Sequence, residues 1–242
     1  MPDTVAARRI ASRGLVLIAL GLVALAGIYL LALRFTPVER FQGLPQKIFY
    51  VHVPAAWCAL LAFSLTGIAS GLYLWLRDPR LDRFAESTAS VGLMFSIIML
   101  ITGPLWGKPV WGTWWEWDAR LTFTLILFFL FLGYRALRGA LVDPEERARF
   151  SAVVGILGLV LVPFVHLTVY LFRTVHPQPI VLKPSEPSLP WEMLRTLLAS
   201  LAAFTVLLIG FVMTRYGLGK GEDLGNGENR GNGENRGGNR GR

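Results

Sequence analysis

The sequence predicts an all-α integral membrane protein, a six transmembrane helix bundle with both termini cytoplasmic, and three observations lead there. Hydrophobic residues fill 53% of 242 positions, and the mean hydropathy is +0.49. Six apolar runs, near 15–33, 53–76, 87–105, 121–137, 150–172 and 191–214, each approach the roughly 20 helical residues needed to cross a hydrocarbon core. The cations are shared unequally between the two sets of connections.

Arg8, Arg9 and Arg13 precede the first run as they would in a secretory signal. The run is too long for a usual signal core and has no small-residue cleavage position, so it reads as a membrane helix. The second run holds the single cysteine, Cys58. One thiol forms no internal disulfide, so the redox compartment is not legible from it. All six runs are continuous and Leu/Ala-rich without polar alternation, which indicates helices rather than barrel strands. Asp78-Pro79 and Asp143-Pro144-Glu145-Glu146 resemble helix stop and start signals, and read as plain hairpin connections without chemistry.

The chain thus divides into a cytoplasmic N-terminal segment 1–14, one membrane domain 15–214 and a tail 215–242. GNGENR stands at 225–230 and again at 231–236, followed by GGNRGR. Such a stretch has no apolar residues to bury and reads as a disordered, solvated extension.

A net charge of +8 invites a nucleic-acid reading, but cations flanking membrane runs are explained first by topology. Twelve fall on one side: Arg8, Arg9, Arg13, Arg77, Arg80, Arg83, Arg135, Arg138, Arg147, Arg149, Arg215 and Lys220. Seven fall on the other: Arg34, Arg40, Lys47, Lys108, Arg120, Arg173 and Lys183. The bias places both termini in the cytoplasm and turns the connections 34–52, 106–120 and 173–190 outward.

Chemistry concentrates on that outer side. Residues 104–122, PLWGKPVWGTWWEWDARLT, carry five of the eight tryptophans: Trp106, Trp111, Trp114, Trp115 and Trp117. An interfacial belt needs one or two rings per helix end, so five in one connection suggest a platform for a planar apolar ligand. His52, in KIFYVHVPAAW just before Pro54 opens the second helix, and His176, in a proline-rich stretch past the fifth, arrive at the same face. Two neutral imidazoles across a Trp-lined cleft suit the axial positions of a haem iron. Arg120, Lys47 and Arg173 stand at the level of the propionates. Zinc fits poorly, because two histidines lack cysteine or an acid at ligand spacing.

His166 lies in the fifth run three residues after Pro163. It reads as satisfying the carbonyl that the proline frees, with a second haem-handling position as the alternative. Asp118 reads as the cap of the fourth helix, with a salt bridge to Arg120, and Glu116 as solvent-facing. No hydrolase triad, Walker loop or dinucleotide fingerprint is present.

LWGKPVWGTWWEWDARLT at 105–122 resembles the tryptophan-rich "WWD" signature of the haem-handling proteins of cytochrome c maturation. The flanking histidines and the six-helix length resemble the CcmC branch, over about 15–214. The resemblance implies haem b held at the outer face of the bacterial inner membrane, with His52 and His176 as axial ligands. It implies a platform of Trp106, Trp111, Trp114, Trp115, Trp117 and Asp118, with Arg120 at the rim. It further implies delivery to the haem chaperone CcmE, in company with the ABC-transporter subunits CcmA and CcmB and the small membrane protein CcmD. Such a protein delivers haem and is not an enzyme, and nucleic acid is not among its partners. One departure is Leu171-Phe172, where family members often have two tryptophans before the second histidine. Two other readings stay open: a b-type electron carrier that retains its haem, and a structural transporter subunit with the tryptophans as anchors.

Overall fold

The computed structural model describes residues 2–172, 176 and 188–237, with side chains for 3–172, 176 and 188–221. Among the described residues six α-helices follow one another: α1 Pro2–Arg34, α2 Phe49–Leu76, α3 Pro79–Trp111, α4 Ala119–Ala140, α5 Pro144–Leu171 and α6 Trp191–Gly237. A short 3-10 turn, Leu44–Ile48, leads into α2. All six helices are long and apolar enough to cross a membrane, as the sequence predicts.

Two of the starts follow from local chemistry. Asp78 accepts a hydrogen bond from the Arg80 amide, with Pro79 at the first helical position of α3. Asp143 accepts from the Glu146 amide, with Pro144 in the same place on α5. In each case a carboxylate takes up an orphan donor and proline contributes no amide that needs one.

α2 is the centre, packed on α3, α5 and α6, while α1 lies along α6. The α2 face built from Ala55, Cys58, Ala59, Ala62 and Phe63 is fully or almost fully buried. Phe63 stacks on Phe131 of α4 at 3.9 Å between centroids and 9° between planes. Hydroxyls join the helices where an apolar solvent offers no water: Thr66 and Thr88 meet at 2.8 Å, and each is also bonded to a carbonyl of its own helix. Such interhelical pairs satisfy polar groups without opening the core.

The α1–α6 contact extends further than the apolar run. A side chain at Gly217 would stand 2.7 Å from the Ala11 amide nitrogen and 2.8 Å from the Ala7 carbonyl, so glycine alone permits that approach. Lys220 Nζ reaches Asp3 at 3.1 Å. These contacts carry the helix beyond the expected boundary at 214, and its backbone remains helical to Gly237. α1 likewise begins at Pro2 and takes in most of the expected 1–14 segment.

The end of the bundle holding the α2–α3 and α4–α5 turns is more than the plain hairpins expected. Arg138, its side chain 6% exposed, forks onto Asp82 at 2.6 and 2.9 Å. It also reaches Glu86 at 3.3 Å, which Arg135 binds at 2.8 Å and Arg215 approaches at 3.5 Å. Three helices are tied there by charge.

Candidate functional site

The opposite end gathers the start of α2, the α3–α4 connection and His176, which follows α5 in the chain. Its geometry departs from the sequence reading in two places. The connection expected over 104–122 is shorter, because α3 runs through Pro104 and Pro109 to Trp111. It stops where Gly112 adopts a left-handed backbone, φ 80, with its amide on the Lys108 carbonyl. Lys108 Nζ closes the same turn on the Gly112 carbonyl at 2.9 Å. Trp106 and Trp111 are therefore helical, and the connection proper is 112–118.

His52 is also helical, in the first turn of α2, and Pro54 lies inside that helix rather than opening it. Proline at that position leaves the Tyr50 carbonyl without its helical donor. The Ser200 hydroxyl of α6 donates to that carbonyl instead, which is why the helix passes through the proline.

His52 is fixed by α3. Its Nδ1 lies 3.0 Å from Thr102 Oγ1, and the Thr102 hydroxyl donates to the Ile98 carbonyl at 2.7 Å. With its hydrogen committed there, Thr102 accepts, so His52 carries its proton on Nδ1 and keeps the Nε2 lone pair for a ligand. A Cβ at Gly103 would stand 3.3 Å from His52 Cε1, so the imidazole packs closely on bare backbone.

From His52 an unbroken series of rings leads to His176. His52 meets Trp106 at 5.7 Å, Trp106 meets Trp111 at 6.2 Å, and Trp111 meets His176 at 5.5 Å. Trp106 is held by its indole N–H on Gln42 Oε1 at 3.0 Å and by Phe49 at 5.8 Å. Burial and the Arg120 guanidinium hold the His176 imidazole well below its ordinary 6.5, at about 4, with Asp118 pulling the other way. It is neutral near pH 7 and able to coordinate.

Arg120, in the first turn of α4, is within electrostatic reach of His52, His166 and His176. Asp118 caps α4 by accepting from the Leu121 amide at 2.8 Å, as expected, and its charge acts on Arg120. Trp115 and Trp117 pair at 5.8 Å, while Trp114 and Trp117 are exposed. The Trp115 indole N–H is buried and meets no acceptor among the described residues. Glu116 is exposed.

Two expectations are corrected. Lys47 is not a rim cation: it is buried, with Nζ donating to the Thr36 and Pro37 carbonyls. His166 is exposed on α5 and makes none of the hydrogen bonds seen among the described residues, so it does not repair the carbonyl freed by Pro163. Arg173 lies outside the described residues. The sequence reading missed Thr102, Gly103 and Gln42; the small-residue pair directly before Pro104 was the available sign of a close approach at the first two.

The family model of heme exporter protein C, CcmC, matches residues 4–219. The heme exporter protein C of Bradyrhizobium diazoefficiens is 40% identical over 184 residues, covering 76% of this chain and 69% of that protein. That of Haemophilus influenzae is 36% identical over 184 residues, covering 76% and 75%. A ccmC-like mitochondrial protein of cytochrome c biosynthesis from Marchantia polymorpha is 38% identical over 174 residues, covering 72% and 73%. A match over nearly the whole membrane domain, histidine turn and tryptophan connection included, places this chain in the CcmC family of heme exporter C proteins.

Proposed function

We propose that this protein takes part in haem export for cytochrome c maturation by binding haem b between His52 and His176 and presenting it to a chaperone. The observation that carries the reading is the series of rings from His52 through Trp106 and Trp111 to His176, with Arg120 in reach of both imidazoles. The donor set suits the ligand. His52 offers Nε2 because Thr102 holds Nδ1, and His176 is neutral near pH 7. The indoles offer flat apolar cover, and Arg120 offers a charge partner for a propionate. The buried Trp115 N–H is a further donor for a carboxylate that the ligand brings.

In this reading the haem is cargo. The protein's residues bind and orient it, Trp114, Trp115, Trp117 and Asp118 complete the platform, and no net chemistry is done on the ring. The site faces the periplasm, both termini lie in the cytoplasm, and the membrane is the bacterial inner membrane, in keeping with the cation bias. The receiving partner is the chaperone CcmE, and the ABC subunits CcmA and CcmB and the small protein CcmD complete the assembly.

The test is an absorption spectrum of the purified protein before and after reduction, followed by mixing with the soluble domain of the chaperone. A six-coordinate, low-spin spectrum and transfer of haem to the chaperone are expected. Haem that never leaves would make the protein a retained-haem electron carrier. No haem absorbance after haem addition would leave a structural subunit.

A further inference from the structure

The end of the bundle remote from the histidines contains a half-open cavity of about 1070 Å³, bordered by the α2–α3 turn, the α4–α5 turn and Gly219 of α6. Five arginines line it, Arg77, Arg83, Arg135, Arg138 and Arg147, against three carboxylates. Two of those carboxylates are already engaged, Asp82 by Arg138 and Glu86 by Arg135, Arg138 and Arg215. The third, Glu145, is exposed at the start of α5. The wall therefore holds a cationic surplus.

Two arginines of the wall, Arg77 and Arg147, take no part in those ion pairs. The Arg147 Nε–H is buried and donates to no acceptor among the described residues. Arg77 ends α2 with a left-handed backbone, φ 56, its amide on the Tyr73 carbonyl at 2.8 Å, the common way for a helix to close. That turn sets its guanidinium 6.0 Å over the Tyr73 ring, itself part of the cavity wall.

The level of the cavity points to the same class of ligand. α3 has 33 residues, about 50 Å of helix against a hydrocarbon core of about 30 Å. Centred on that core, α3 would extend about 10 Å beyond it at each end, which would set its start, with Pro79, Asp82 and Arg83 on the cavity wall, at the depth of lipid headgroups. Trp75, Leu76 and Val142, large apolar side chains beside the two turns, are 80%, 57% and 93% exposed, as residues that meet acyl chains would be. The planar guanidinium fork matches phosphate oxygens pairwise, and basic pockets between membrane helices accept anionic headgroups.

We propose that this cavity binds the phosphate of an anionic phospholipid headgroup, with Arg77 and Arg147 as its principal donors. Free phosphate shares that chemistry, so the experiment separates the two sources. The full-length protein, purified in detergent and delipidated, is titrated with phosphatidylglycerol, phosphatidylcholine or inorganic phosphate. Bound lipid is counted by native mass spectrometry, and the unfolding midpoint is followed in parallel. Phosphatidylglycerol should bind at least tenfold more tightly than phosphatidylcholine and raise the midpoint, with inorganic phosphate doing neither. Arg77→Gln with Arg147→Gln should abolish the preference, whereas Arg149→Gln, an exposed arginine of α5 outside the cavity, should keep it. Equal binding of the two lipids in the wild-type protein would overturn the site whether or not the double variant folds. Stabilisation by inorganic phosphate alone would overturn the lipid as occupant. Loss of the preference in Arg149→Gln would show diffuse charge instead of a pocket.

Discussion

Replacing Thr102 with valine tests how His52 is prepared for its ligand. Valine keeps the shape and removes the hydroxyl that lies 3.0 Å from His52 Nδ1. It also removes a side-chain bond to the Ile98 carbonyl, but the backbone of α3 does not need that bond. A hydrogen bond of this kind is worth about 0.5–1.5 kcal/mol net, and loss of a group that orients a metal-ligating histidine typically costs about 10- to 100-fold in affinity. The smaller scale corresponds to about 2- to 12-fold, so a rise of roughly tenfold in the haem dissociation constant is expected. Thr102→Ser, which restores the hydroxyl, should recover most of it. The assay is a haem titration of the apoprotein followed at the Soret band, with loss to apomyoglobin giving the off-rate. If Thr102→Val binds and releases haem as the wild type does while His52→Ala is impaired, the tautomer argument fails.

His52→Ala and His176→Ala should each convert the six-coordinate spectrum, and His166→Ala should leave it nearly unchanged; a silent spectrum in the first two would remove the axial assignment. Trp111→Ala, which breaks the ring series beside His176, should speed haem loss more than Trp117→Ala, whose ring is 75% exposed; equal rates would mean that the indoles do not act through the histidines. Arg138→Met leaves Asp82 and Glu86 without their buried partner and should cost about 3–5 kcal/mol, read as a fall in the denaturant midpoint in detergent; no fall would show that Arg135 and Arg215 compensate. For the apoprotein, His176 titrates near 4 when folded against 6.5 ordinarily, so the unfolded chain binds its proton first. The stability from burying the neutral ring is whole above about pH 6.5 and is lost as pH falls toward about 4. That acid dependence should shrink in His176→Gln, measured as unfolding midpoint against pH.

Much of this was legible in the sequence because it depends on patterns that tertiary contacts do not alter. Six apolar runs became six helices, and Asp78, Asp118 and Asp143 became the caps their positions suggest. The convergence of His52, His176 and the tryptophans followed from counting spans. What failed were inferences from single residues whose role is set by a distant partner. Pro54 opens a helix by local rules, yet Ser200, far along the chain, satisfies the carbonyl it frees. Lys47 looked like a rim cation because no local pattern shows that the Thr36 and Pro37 carbonyls fold back onto it. The Asp82–Glu86–Arg138 network was hidden for the same reason: the charges lie on different helices and look like solvated turn residues until the bundle brings them together.

The bond from Ser200 to the Tyr50 carbonyl also decides how mechanical load passes through the site. The turn that carries His52 is bolted to α6 there, and the Thr36 and Thr196 hydroxyls, 2.9 Å apart and buried, add a second bolt nearby between the end of α1 and α6. His176 stands beyond the end of α5, outside any helix. In the proposed site the two histidines are thus held unequally: His52 by the helical frame, His176 by the Trp111 ring beside it. Under the proposed ligation, the bond to His176 is the one expected to part first when the two are drawn apart. On the same proposal His52 keeps its place for the next ring without refolding.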